Sequence, residues 1–106
     1  MRGPSDFLIA DLSDDWTDVR ASQEGALLAD ELTREMPQGH RLIGTDALAV
    51  AQHRRRKEVI YWLPLERQWA VVHLTGTVEA KPSWPMTVVC PTWQAVLHEL
   101  DDRARR

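Results

Sequence analysis

The stretch Arg67-Gln68-Trp69-Ala70-Val71-Val72-His73-Leu74-Thr75 constrains this chain more than any other. It concentrates β-branched and aromatic side chains and contains no internal proline or glycine, as an interior strand prefers. Along a strand, successive side chains point to opposite faces. Ala70, Val72 and Leu74 therefore form one continuous apolar face, and Trp69, Val71, His73 and Thr75 form a second face of mixed polarity. Gly76 ends the run. One oily face backed by a mixed one predicts an antiparallel sheet covered fully on one side and partly on the other.

The other elements are placed against this strand. Residues 1–12 carry no periodicity that separates a short edge strand from a helical turn; Phe7, Leu8, Ile9 and Leu12 suit either. Ser13-Asp14-Asp15-Trp16 offers cap-type residues, but the firmer helix start lies between Asp18 and Ser22. From there Ala21, Gly25, Leu28, Leu32 and Met36 fall on one helical stripe, with Gln23, Glu24, Asp30, Glu31, Arg34 and Glu35 on the outer face and Asp30–Arg34 as an i,i+4 pair. Pro37 and Gly39 stop the helix. Asp46 to His53 alternates as a strand with Ala47, Ala49 and Ala51 on one side, Arg54-Arg55-Arg56-Lys57 makes a charged turn, and Val59 to Leu63 is the next strand. Pro64-Leu65-Glu66 then turns the chain into the central stretch. Short connections make these three strands a meander. After a loop over 77–85, Met86 to Cys90 reads as a fourth strand, and Thr92 caps a helix whose face is Trp93, Val96, Leu97 and Leu100. The tail Arg103 to Arg106 places cations where a helix C-terminus favours them. The expected fold is α+β: an antiparallel sheet of three to four strands with N-terminal and C-terminal helices packed on it, in the order α-β-β-β-β-α.

A length of 106 residues fits a single domain. The net charge of −3 sets the chain apart from domains that hold nucleic acid by bulk electrostatics. A lone cysteine, Cys90, excludes an internal disulfide and a thiolate cage within one chain; between Val89 and Pro91 it reads as a structural thiol. No stretch approaches the ~20 apolar residues of a membrane span, and Phe7 to Ala10 is too short for a signal core, so a cytoplasmic protein is expected. No cofactor or metal is expected.

Four constellations bear on chemistry. The meander brings His53, Glu58, His73 and Thr75 to one end of the sheet, where two imidazoles and a carboxylate suit a metal or acid–base work if the register lets them share a face. The absence of an HExxH or facial-triad spacing favours one solvated rim histidine and one satisfied or half-buried one instead. Arg54, Arg55, Arg56 and Lys57 suit an anionic partner, although charge at a hairpin tip is also a common guard against aggregation. Five tryptophans accompany one Tyr and one Phe, and Trp62 and Trp93 are expected in the core. Trp84, in its proline-flanked loop with Pro82 and Pro85, either forms a recognition surface with Trp69 and His73 on the mixed face or folds back to cover that half-apolar face. No nucleophile elbow around Ser22 or Ser83 and no phosphate-cradling loop is present.

Trp69-Ala70-Val71-Val72-His73-Leu74-Thr75, with Trp84-Pro85 and Thr92-Trp93 downstream, resembles a group of small bacterial proteins that share a W-A-V-V-H-L-T-W strand, a W-P loop and a terminal aromatic-led helix. The similarity spans about residues 36–100, from the Gly39-His40 and Leu42-Ile43-Gly44 region onward; Gly76 stands where the group has Trp. The resemblance implies a shared fold and a bacterial cytosolic setting, and it carries no reaction. The expectation is a non-enzymatic binding protein, immunity-like or regulatory, engaging another bacterial protein. The alternative is a small metal- or acid–base-dependent enzyme using His53 and His73.

Overall fold

The computed structural model describes residues 9–78, 80–81 and 84–104; the readings made for Phe7, Leu8, Pro82, Ser83 and Arg105-Arg106 lie outside them. The fold is α+β. Five antiparallel strands, β1 (Trp16–Asp18), β2 (Leu48–His53), β3 (Glu58–Leu63), β4 (Gln68–His73) and β5 (Met86–Cys90), lie side by side in chain order. Helix α1 (Gln23–Glu35) joins β1 to β2, and α2 (Trp93–Ala104) follows β5. A short 3-10 turn, Ile9–Asp11, precedes β1.

The strand count exceeds expectation by one, because Trp16-Thr17-Asp18 is too short for alternation to register and its acidic neighbours read as a helix cap. The helix begins instead at the Ser22 cap, whose hydroxyl accepts a bond from Gly25 N at 3.3 Å. It ends where Met36, which precedes Pro37, turns extended. Thr92 caps α2 in the same way, accepting from Ala95 N at 3.1 Å.

Both sheet faces are covered, which corrects the half-open sheet expected from the mixed face of β4. On one side α1 lays Leu28 and Leu32 on Val59, Tyr61, Ala70 and Val72. On the other, α2 lays Trp93 and Val96 on Ile60, Trp62, Trp69 and Val71. Burying each large aliphatic contributes about 2 kcal/mol relative to exposure. Trp69 is the middle of an aromatic stack, its ring centre 4.9 Å from Trp62 and 4.9 Å from Trp93. The side that reads as mixed is thus dry wherever α2 reaches.

Further expectations fail for local reasons. Ala47, Ala49 and Ala51 do not all share a face: a bulge between Ala49 and Ala51 leaves Ala49, with Ala47 before the strand, on the α1 core and puts both Val50 and Ala51 with the α2 core. Glu35, placed on the outer face of α1, is fully buried, and Arg34 pairs with Glu31 rather than Asp30. β4 itself is shorter than the run 67–75: it starts after Arg67, which takes a left-handed φ of 55° at the end of the preceding turn, and it stops at His73, beyond which Thr75 N is bonded to Glu35.

Candidate functional site

The strand register draws one line of side chains across an end of the sheet. Trp16 pairs with His53, Gln52 with Val59, Glu58 with His73, and His73 with Met86. Trp16, His53, Glu58, His73 and Met86 therefore form a cross-strand row, one residue per strand. Both helices end at this rim: Arg103 of α2 bonds Glu58 at 2.9 Å, and Glu35 of α1 accepts from Thr75 N and Gly76 N. The β2–β3 tip, Arg54 to Lys57, projects from it.

The tip is held from beneath. His53 is 6% exposed, and its Nδ1 accepts the backbone N–H groups of Arg55 and Arg56, each at 3.1 Å. An imidazole accepting at Nδ1 carries its proton on Nε2. Arg54 N donates to Asp15 O at 2.8 Å, and Lys57 O accepts from Leu74 N at 2.7 Å, so both flanks are fastened as well. Arg54 Nε reaches Thr17 Oγ1 at 3.3 Å, while the Arg55 side chain is 82% exposed with Asp15 at 3.8 Å. A loop of four consecutive cations is thereby fixed in shape, although its side chains remain mostly in water.

Glu35 ties the opposite flank. Its carboxylate accepts from Thr75 N (2.7 Å), Thr75 Oγ1 (3.0 Å) and Gly76 N (2.8 Å). Burial, with the hydrogen bond that the Glu35 carboxyl donates to Glu31, holds Glu35 above the usual glutamate range against the opposing pull of those donors. Glu31 moves the other way, lowered by the bond to Glu35 and by Arg34. The two carboxyls share a proton as a pair. Tyr61 hydroxyl, bonded to Leu28 O at 2.7 Å, is pushed up by burial and then by these carboxylates.

Two clefts flank the tip. The one on the α1 side, about 560 Å³, is walled by Arg34 and by Arg54 to Lys57, with Glu31 and Glu35 inside. The one on the α2 side, about 390 Å³, is lined by Leu12 and Trp16 of the N-terminal segment, by Leu97 and Leu100 of α2, and by His53 and Glu58. Glu58 is held there by Arg103 and, at 3.6 Å, by Arg56.

The residues expected to recognise a partner separate into two groups. Arg54, Arg55, Arg56 and His73 are exposed at the rim, and Trp84, two residues before Met86, stands at the same end at 38% exposure. Val78 (66% exposed) and Met86 (49%) add apolar surface there. Trp69 does not belong to this surface: at 1% exposure it is core, because α2 covers the face it projects from. Thr75 is turned from the row towards α1 by Glu35. Cys90 is buried, and burial pushes its thiol up, as suits a structural residue.

His53, Glu58 and His73 do share an end and a face, but the two imidazoles sit on strands separated by β3, roughly 10 Å apart at the backbone. Glu58 between them is occupied by arginines, and His53 Nδ1 by the tip. Among the described residues no group of three His, Cys, Asp or Glu side chains could hold a metal, and no described helix is long and apolar enough to cross a membrane.

Sequence reasoning missed three fastening residues. Glu35 and Arg103 look like solvated helix charges, since neither lies on an apolar stripe. His40, in a loop, is 2% exposed; its Nδ1 accepts from Leu42 N at 3.1 Å, which leaves Nε2–H to donate to Pro85 O at 3.0 Å and anchor the segment that carries Trp84. A polar residue between Gly39 and Leu42 was the only cue. Compared with family models, curated proteins and solved structures, the chain matches none.

Proposed function

We propose that this chain is a small non-enzymatic binding protein and that the rim around the β2–β3 tip is the surface with which it engages another protein. The observation that carries the reading is the convergence of Arg54, Arg55 and Arg56 with Trp84, Met86 and His73 at one end of the sheet. Tryptophan and arginine are the side chains that most often dominate binding energy at protein interfaces. Here the backbone beneath the arginines is fixed in advance by His53 and that beneath Trp84 by His40, which limits the ordering cost of association. Four cations at one tip of a chain whose net charge is −3 also favour a partner with acidic groups around an apolar contact. An immunity-like or regulatory role in a bacterial cytosol, the setting implied by the sequence resemblance, is the kind of task such a surface serves.

Quantitative capture from native cell extract tests this with three baits: wild type, the double charge reversal Arg54→Glu/Arg55→Glu, and Trp84→Ala. The expected result is a partner retained by wild type, weakened at least about tenfold by either variant, and more salt-sensitive with wild type than with the charge reversal. Recovery of the same proteins by all three baits, or of none, overturns the reading.

A further inference from the structure

The two edges of the sheet are built differently. β1 is three residues long, and Asp18 with Arg20 places an ion pair at its end. Short length and charge are the usual guards of a strand edge. β5 has neither guard: Met86-Thr87-Val88-Val89-Cys90 carries no charge and no proline, and it pairs with β4 over its whole length without a bulge.

Strand β5 also holds backbone groups with nothing to bond. Leu74 N donates to Lys57 O at 2.7 Å, one residue outside the facing residues Glu58 and His73, so those two form a non-hydrogen-bonded pair. By alternation along β4, Trp69, Val71 and His73 direct their N–H and C=O groups at β5, and Cys90, Val88 and Met86 direct theirs back. Thr87 and Val89 therefore point their backbone groups away from the sheet, where no described residue meets them. The open segment has definite ends. Before it, Pro85 O already accepts from His40 Nε2–H at 3.0 Å; after it, Pro91 has no N–H to give.

An edge open at two residues placed evenly about Val88, and closed beyond them on both sides, is complementary to itself, as a two-fold contact requires. We infer that β5 pairs antiparallel with the β5 of a second copy of this chain, about a two-fold axis at Val88, and so doubles the five-stranded sheet. Thr87 of each copy then exchanges both backbone bonds with Val89 of the other, and Val88 faces Val88 as a non-hydrogen-bonded pair. At the ends, the Pro85 of each copy, whose carbonyl is satisfied, comes opposite the Pro91 of the other, which offers no donor. Met86, 49% exposed, meets Cys90 of the other copy, and the half-buried Val88 and Val89 gain cover. No charge within either β5 opposes another. The arginine tip lies beyond β4, between β2 and β3, so the inference goes beyond the rim reading and does not rest on it.

Sedimentation of the full chain between about 1 μM and 1 mM is expected to pass from the mass of one copy to that of two. The pairing should persist in about 0.5 M salt, where contacts through the arginine tip weaken. Val88→Lys and Val88→Glu each set like charges face to face across the axis, and each is expected to weaken the pairing at least about tenfold. Mixed in equal amounts, the two variants should recover it. In wild type, hydrogen exchange at the Thr87 and Val89 amides is expected to slow at least about tenfold from the dilute to the concentrated end. That measurement needs no substitution and decides the matter alone should either variant fail to fold. A chain that stays single throughout, leaving the edge to an extended segment of another protein, overturns the inference. So does a pair that survives either charge, a mixture of folded variants that does not recover, or a pair that dissociates with Arg54→Glu/Arg55→Glu.

Discussion

Glu35 shows how much one side chain can organise. It sits at the last position of α1, fully buried, and takes three donors from Thr75 and Gly76, so the end of the helix and the exit of β4 are tied at one carboxylate. Its proton affinity is set by burial and by Glu31, and the sign of the consequence is definite. A carboxyl that holds its proton to higher pH when folded than when unfolded contributes stability below the ordinary glutamate range and loses it as pH rises through the folded value. Glu31, lowered in the fold, contributes in the opposite sense, above its unfolded value. Glu31→Gln replaces the carboxylate that accepts from Glu35 with a neutral amide. Urea unfolding between about pH 4.5 and 7 should show wild type losing stability as pH rises and Glu31→Gln losing less, because the burial of Glu35 persists in the variant. An unchanged slope in the variant would separate Glu35 from Glu31.

Among elements, the seat of α1 depends on a residue that helix propensity disfavours. A Cβ on Gly25 would stand 2.2 Å from the Val19 carbonyl oxygen and 3.8 Å from that of Ala49, so the first turn of α1 is pressed onto backbone. Alanine is intrinsically the better helix former by about 1 kcal/mol. Here Gly25→Ala is expected to destabilise by about 2–3 kcal/mol in urea unfolding, and a stabilised variant would show that the contact yields. The elements with several turns or clear alternation, α1, α2 and β2 to β5, could be read from the chain because each repeats its pattern often enough to exceed accident. β1 and the bulge could not: three residues hold no period, and Ala49-Val50-Ala51 alternates whether or not one residue is extra. The arginine tip and His73 were visible as rim groups for the same reason that the meander was. Trp69 was misjudged because its exposure is decided by α2, more than twenty residues downstream, and no local pattern in β4 reports that cover.

For the molecule as a whole, the helices divide the labour of closing the sheet. α1 covers a face built of medium aliphatics and Tyr61, whereas α2 covers the face bearing Trp62 and Trp69, and Trp93 supplies its central contact. Trp62 Nε1 remains the one buried side-chain polar atom without a partner among the described residues, so this face is held by packing more than by hydrogen bonds. Trp93 Nε1, in contrast, donates to Asp11 Oδ2 at 2.8 Å and fastens the N-terminal turn to α2. Trp93→Ala is expected to cost about 3–5 kcal/mol, a large share of what a domain of this size possesses. Urea denaturation measures it; a loss below about 1 kcal/mol would mean that α2 is dispensable to the fold.

Because the strands stand in the sheet in the order in which they are linked, β1 to β5, every pairing except β1–β2 and β4–β5 is a tight hairpin, and the growing chain can zip them as each is made. α2 comes last. Until it is synthesised and docked, two indoles and three aliphatic strands present a bare, sticky plane, so nascent and truncated chains lacking it are the species most exposed to aggregation and most in need of a chaperone's shelter.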